Sequence, residues 1–376
     1  MTKPIFISHP IYESSTYGSG HPLAIPRVSL ATDLVKALGW LDKTNYLESR
    51  EATHEELVEF HTTDYIQALM NAERHPPSET DRVRYNIGIN GNPIYPEMYR
   101  RPATACGGGQ IAADLLMSDE APCVFNIGGG QHHGLADKAS GFCYLNEPVL
   151  TIRRLLETGA RRVFYLDIDA HFGDGTQLAF HGEDRVYTLS VHEQGRWPQR
   201  RGVKAGDPGS VEDRAGGMAR NLPVPKGLND TEFDYLIDTV ALVLIKNFAP
   251  DVIYLQCGVD ALADDPQSKL ELSNRAIWRV VDELKQLGLP LLVSGGGGYN
   301  PFSVGRCWAG VWAQLNGIEI PTFLNGGAEQ LLRDVTWHHH KAKSPPDRWF
   351  TALADDPNQG PIRGEIYDLA EKSLNN

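Results

Sequence analysis

The chain has 376 residues, 41% of them hydrophobic and 22% charged, with a formal net charge of −13. That composition is globular and long enough for one large α/β domain or two ordinary ones, and the acidic balance argues against non-specific nucleic-acid binding. The five cysteines (Cys106, Cys123, Cys143, Cys257, Cys307) are odd in number and lack a CxxC pair, which excludes a disulfide framework or zinc–thiolate site and reads as reduced thiols in a cytoplasm.

The opening MTKPIFISHP has too short an apolar run for a signal peptide, and no stretch approaches a membrane span. Ile5 to Ser8 reads as a first strand, and Arg27 to Leu38 as an amphipathic helix stopped by Gly39. Thr53 resembles an N-cap with acids after it, opening a helix to Phe60, and a second helix runs around Tyr65 to Ala72. Residues 75–104, rich in Pro, Gly, Asn and Arg, predict a long irregular excursion. A helix is expected over Gly107 to Met117, where Gly107–Gly109 mark helix entry or close packing rather than a phosphate loop.

Strand and helix signals then alternate. Pro122 to Ile127 is a strand running into Gly128-Gly-Gly-Gln-His132-His133, and Val149 to Leu156 a helix. Val163 to Leu166 is a short apolar run, the mark of a strand covered on both faces, and it exits into Asp167, Asp169, His171 and Asp174. Val186 to Val191 is a strand, residues 193–221 a polar loop, and Asp230 to Asn247 a strong helix. Val252 to Gln256 is a strand ending near Asp260, Ser273 to Leu287 a helix, and Leu289 to Val293 a strand that enters the turn Ser294-GGGG-Tyr299. Phe302 to Leu315 is a closing helix, and residues 336–376 form a polar, Pro-rich C-terminal appendage. The alternation predicts a mostly parallel sheet with helices on both faces, and no internal repeat or composition break marks a domain boundary, so residues 1–376 read as a single domain.

Four of these strands end in groups capable of chemistry: His132 and His133, Asp167 to Asp174, Asp260, and Tyr299. In a parallel sheet the carboxyl ends share one edge, so such residues converge without being close in sequence. Asp169, His171 and Asp260 make a three-ligand set that leaves a position open for water and substrate; it suits zinc without excluding iron(II). The adjacent histidines need partners to fix their tautomers, and Asp167 and Asp174 are the spare carboxylates nearby. A tyrosine after four glycines can donate its hydroxyl to a developing oxyanion.

HPLAIPRV, YNIGINGNP, GGGQHHGLADKASGFCYLN, DIDAHFGDGTQ, LSVH, GVDAL and GGGGYNP together resemble the histone deacetylase-like family, including bacterial amidohydrolases and acetoin-utilisation proteins, over Ile5 to about Leu315. The resemblance implies an α/β, arginase/deacetylase-like three-layer sandwich on a mainly parallel eight-stranded sheet. It implies one zinc ion on Asp169, His171 and Asp260, with His132 paired to Asp167, His133 to Asp174, and Tyr299 polarising the acyl carbonyl. A structural potassium would sit at Asp167, Asp169, His171 and Ser190. Gly141, Phe142, Trp197 and Gly297 would shape a substrate tunnel, and Arg27 would line a cavity behind it. The implied activity is hydrolysis of an N-acyl amide, foremost ε-N-acetyl-lysine in a protein or peptide. A small acylated amine such as an acetylpolyamine is the alternative substrate; a two-metal ureohydrolase and a silent acyl-lysine-binding module are the competing classes.

Three positions depart from the family pattern. Trp197 stands where a phenylalanine is usual, the substrate-clamping acid falls at Gly91, and Phe172 replaces a histidine. Two basic loops (Arg82, Arg84, Arg100, Arg101; Arg196, Arg200, Arg201, Lys204) either face the tunnel mouth or are ordinary paired surface charges. His338-His339-His340 reads as a solvated run and Cys143 as a small buried residue.

Overall fold

Eight strands carry the chain: β1 (Ile5–Ser8), β2 (Tyr46–Glu48), β3 (Cys123–Asn126), β4 (Val163–Asp167), β5 (Val186–Glu193), β6 (Ala219–Val224), β7 (Val252–Gln256) and β8 (Leu291–Ser294). The computed structural model describes residues 3–14, 17–18 and 20–375. The strands form one sheet in the order β2-β1-β3-β8-β7-β4-β5-β6, and every ladder in it is parallel. The fold is the arginase/deacetylase sandwich that the motifs imply.

Alternation along the buried strands sends side chains to two different cores. Phe125, Phe164, Leu166, Ile253, Leu255 and Val293 enter one, shared with the helices Val28–Ala37, Asn274–Gln286 and Pro301–Asn316. Val124, Val163, Tyr165, Tyr254 and Leu292 enter the other, shared with Arg100–Met117 and Glu147–Glu157. A third cluster, rich in tyrosine (Tyr65, Tyr85, Tyr95, Tyr144), packs the 75–104 excursion.

Several boundaries differ from expectation for identifiable reasons. The excursion contains a helix, Glu79–Tyr85, capped by the Ser78 side chain. The next helix begins at Arg100, seven residues before Gly107, because Pro102 falls in a first turn, where a missing N–H costs nothing. Gly107 and Gly109 then lie inside that helix, where a Cβ would stand 1.9 Å from Arg50 O and 1.9 Å from Thr151 Oγ1. Close packing, not ligand binding, explains the triplet. The helix from Asp230 runs to Phe248 with a π-helical turn at Ile237–Ala241.

The segment expected as a polar appendage is folded onto the body. Trp349, Leu353, Ile366 and Ala370 are buried in the largest core. Ion pairs tie the same segment down, its Arg363 to Glu232 at 2.6 Å and its Asp355 to Arg306 at 2.7 Å. No helix among the described residues is long and apolar enough to cross a membrane.

What matters for chemistry is the middle of the sheet. The four strands followed by the chemistry-bearing residues, β3, β8, β7 and β4, are consecutive neighbours. Their carboxyl ends therefore open onto one place.

Candidate active site

The turn after β3 carries the two histidines, and buried hydrogen bonds fix its path. Glu147, the first residue of its helix, is fully buried and accepts from Gly130 N (2.8 Å), Tyr254 Oη (2.6 Å), Thr151 Oγ1 (2.6 Å) and Asn126 Nδ2 (3.2 Å). Asn146 caps that helix and donates from Nδ2 to His132 O (3.1 Å) and Gly134 O (2.9 Å). With the main chain held on both sides, the two rings point inward. His132 Nδ1 lies 2.7 Å from Asp167 Oδ2, and His133 Nδ1 lies 2.7 Å from Asp174 Oδ1. Tyr165 Oη also donates to Asp167, at 2.8 Å.

Asp169, His171 and Asp260 offer three donor atoms within 4.8 Å of one another. His171 Nδ1 faces Asp169 Oδ1 at 3.1 Å and Asp260 Oδ2 at 2.8 Å. The outer oxygens are engaged: Asp260 Oδ1 accepts from Ala170 N (2.7 Å), and Asp169 Oδ2 from Gly297 N (2.8 Å) and Gln256 Nε2 (3.2 Å). Each carboxylate is thus oriented by the main chain and keeps one oxygen for the shared point. Two buried carboxylates facing one ring nitrogen hold a positive charge between them, as imidazolium or as a cation. Burial lowers the His171 pKa, yet Asp260 and Asp169 outweigh it and lift it to about 10. A mixed N/O set of three, with room for further ligands, fits zinc.

Tyr299 is buried at the end of the glycine turn beside this cluster, its ring centroid 6.4 Å from that of His171. Burial, with Asp260 and Asp169 adding to it, pushes its phenol well above the usual range, so the hydroxyl stays a donor. Arg27 holds the turn from behind, donating from Nη1 to Gly296 O (2.7 Å) and Gly298 O (3.3 Å). It lines a small cavity with Gln131, His132, His133, Cys143 and Tyr299.

The outer cleft is walled by Phe142 and Trp197, with Gly141 between them. A Cβ on Gly141 would come within 2.3 Å of the Trp197 ring and 2.6 Å of His133 Cδ2. Trp197 packs edge-on against His133, centroids 4.7 Å apart. Phe142 has a left-handed backbone (φ 68°) held by Asn92 Oδ1, which accepts its N–H at 2.9 Å. That strain is stored at the wall of the cleft.

A model of the histone deacetylase domain matches residues 21–315. The acetoin utilization protein AcuC of Bacillus subtilis is 34% identical over 331 residues, covering 85% of this chain and 84% of that one. This chain belongs to the histone deacetylase family. Human histone deacetylase 1 is 32% identical over 82% of the chain, which spans 63% of that longer protein. The crystal structure of a histone deacetylase homologue from Aquifex aeolicus superposes with a TM-score of 0.92 at 35% identity, covering 99% of this chain and 100% of the other; a second structure of such a homologue, complexed with SAHA, matches equally. Membership makes the protein a hydrolase of an acetylated amide.

Other predicted residues are placed as follows. Ser190 lies beside Asp167 in the β4–β5 ladder, its Oγ 2.9 Å from His192 Nδ1. Phe172 packs on the His192 ring, centroids 5.1 Å apart. Gly91 has φ +83°, and a Cβ there would stand 2.7 Å from the Phe142 ring. The polar residue of this loop at the cleft is its neighbour Asn90, so this family member presents a neutral amide there. Cys143 is buried, its Sγ 3.4 Å from Gly141 O, and burial lifts its thiol to about 12. His338 and His340 are exposed, and His339 stacks on Trp337.

Sequence reasoning missed Asp265. This buried acid accepts Tyr299 N at 2.6 Å and Gln267 N at 2.8 Å, fixing the backbone that aims the tyrosine. It also missed Glu147, Gln256 and Asn146. None has a local signal, since each acts across a turn contributed by another strand.

Proposed function

We propose that this protein is a zinc-dependent deacylase that removes the acetyl group from ε-N-acetyl-lysine in peptides or proteins. The observation that carries the reading is the convergence of two carboxylate-backed imidazoles, a three-donor cation site and a buried tyrosine hydroxyl at the floor of an aromatic-walled cleft. Such a cleft suits a straight alkyl chain ending in an amide.

Asp169, His171 and Asp260 would hold the zinc, which when bound supplies Lewis-acid polarisation and a lowered water pKa. His133 accepts the proton of the attacking water at Nε2, while Asp174 holds its Nδ1–H. The Tyr299 hydroxyl donates to the acyl oxygen as negative charge develops there. His133 then returns its proton to the departing lysine amine, which leaves neutral. His132 stays charged beside it and keeps the second nitrogen polarised. Phe142 and Trp197 sandwich the methylene chain, and Gly141 leaves room for it.

A structural potassium at Asp167, Asp169, His171 and Ser190 and a cytoplasmic location belong to the same reading; the five free, buried cysteines support a reducing compartment. Against a two-metal ureohydrolase stands the single three-residue cluster among the described residues. The test is a fluorogenic acetyl-lysine substrate with metal content measured in parallel. Turnover that tracks about one zinc per chain and is lost to a chelator is expected. A protein that binds the substrate without cleaving it would be a binding module, and one that needs two metals a ureohydrolase-type enzyme.

A further inference from the structure

The arginines of the two basic loops separate once their partners are traced. In the first loop Arg82 pairs with Glu79 (3.3 Å), Arg84 with Asp64 (3.6 Å) and Arg100 with Glu73 (2.5 Å), and Arg101 lies over the Tyr12 ring (4.9 Å). None of these four lines the outer cleft. The second loop behaves differently. Arg196 lines the cleft, but its guanidinium forks onto buried Glu193 at 2.6 and 2.9 Å. Arg201 and Lys226 line the same cleft and are exposed, and no carboxylate among the described residues pairs with either.

The remaining polar lining is short of negative charge. Asn90 and Gln267 are neutral, and Glu193, the one carboxylate there, is spent on Arg196 and on Lys269 N (2.7 Å). A chain with net charge −13 thus carries a positive rim at its cleft, in which Arg201 of the β5–β6 loop and Lys226 of the turn after β6 have no carboxylate partner among the described residues.

We propose that this rim selects anionic substrates: acyl-lysine set in an acidic stretch of peptide, with carboxylates flanking the modified residue. The proposal rests on the deacylase reading of the cleft and narrows its substrate class. Cationic acylated polyamines and lysine-rich tails meet like charge at the mouth and are disfavoured. The far field of the acidic body opposes the rim, but beyond about 10 Å it is screened near 0.1 M salt, while contacts at the mouth are not. Fields focused at a cleft change association by 10- to 1,000-fold, so a preference of about tenfold in kcat/KM, carried mainly by KM, is the conservative expectation.

The experiment uses the full-length, zinc-loaded protein and acetyl-lysine peptides of equal length with acidic, neutral or basic flanks, at about 0.1 M and about 1 M salt. The acidic peptide should exceed the basic one about tenfold at the lower salt and converge with it at the higher. In Arg201→Glu combined with Lys226→Glu, the acidic-to-basic ratio should fall below one; because it is a ratio, a general loss of folding or activity cancels. Equal rates, or a preference for the basic peptide at the lower salt, would overturn the proposal. No turnover of any peptide, neutral included, would count against the deacylase reading itself. Free Nε-acetyl-lysine, with its own α-carboxylate, forms a further arm: a rim effect on it that is absent from the peptides would assign the rim to small acids and overturn the peptide assignment.

Discussion

His132 Nε2 and His133 Nε2 lie 2.9 Å apart, while the Nδ1 of each faces a different carboxylate. With both Nδ1 atoms donating to Asp167 and Asp174, two bare Nε2 lone pairs cannot face each other at that distance. One proton must lie between them, and the pair carries a single positive charge. Burial lowers both rings, but Asp167 and Asp169 outweigh it at His132 and raise it to about 9. At His133 the charge on His132 adds to burial and brings it down to about 4. The two environments split the roles: His132 holds the shared proton, and His133 takes a second one once the attacking water has replaced His132 at its Nε2.

His132→Ala removes the cation that depresses His133, so the His133 pKa should rise. The acidic limb of the kcat–pH profile, below which His133 is already protonated, should move to higher pH, with a lower plateau. A profile measured on zinc-loaded wild type and variant checks this; a limb that stays put or moves down would mean that His132 does not set its neighbour's basicity.

Tyr299→Phe removes one hydroxyl from a residue whose backbone is anchored separately by Asp265. Zinc content should be unchanged while kcat falls about a hundredfold, as for loss of one oxyanion donor. Asp265→Asn should give a milder version, because the amide turns a donor toward either Tyr299 N or Gln267 N and so loosens the aim of the ring. If kcat in Tyr299→Phe matched wild type at equal zinc loading, the tyrosine would be a packing residue.

The centre of this molecule was legible and its margins were not. β4 declared itself by a buried apolar run followed at once by Asp167, Asp169 and His171, and β3, β7 and β8 by similar runs. β2 has one partly buried and two exposed residues, and β6, though mostly buried, contains Pro223; both are outermost strands, where proline is tolerated. The tail looked polar because each of its elements offers at most three apolar residues, such as Trp349 or Ile366, to a core made elsewhere. Residue types picked out Asp169, His171 and Asp260, which the fold brings together as a candidate cation site, because such chemistry demands those types. Asp265 and Glu147 stayed invisible, because an acid that accepts backbone N–H groups from a distant turn has no spacing rule.

Gly297 is a position where the site tolerates no side chain. A Cβ there would stand 2.4 Å from Asp260 Oδ2 and 2.6 Å from Asp169 Oδ2, against two carboxylates of the cation cluster. Gly297→Ala should therefore displace both and weaken zinc binding about 10- to 100-fold, the range typical of disturbed ligand support. Competition with a chromogenic chelator reads the affinity, and circular dichroism shows whether the fold persists. Wild-type zinc affinity in the alanine variant would contradict the geometry.

His61 lies outside the cation cluster and gives the clearest pH signature of stability. Its Nδ1 lies 3.0 Å from Leu135 O and its Nε2 accepts Asn146 N at 3.0 Å, so both bonds require the neutral ring with the proton on Nδ1. Burial pushes its pKa down from 6.5 to about 4, against the two carbonyls that pull it up. The folded value is below the unfolded one, so between about 6.5 and 4 the unfolded chain binds more protons and stability must fall as pH drops. The loss due to this residue begins near the unfolded pKa and levels off below the folded one, amounting to about 3 kcal/mol. His61→Gln offers an acceptor to Asn146 N and a donor to Leu135 O without a titrating group. At pH 7.5, it should be less stable than wild type by about 1 kcal/mol, since its hydrogen bonds are less well fitted. At pH 4.5, where only wild type gains a proton on unfolding, the gap should close or invert. Urea midpoints of both proteins across that range measure the difference; parallel curves would show that His61 does not carry the acid sensitivity.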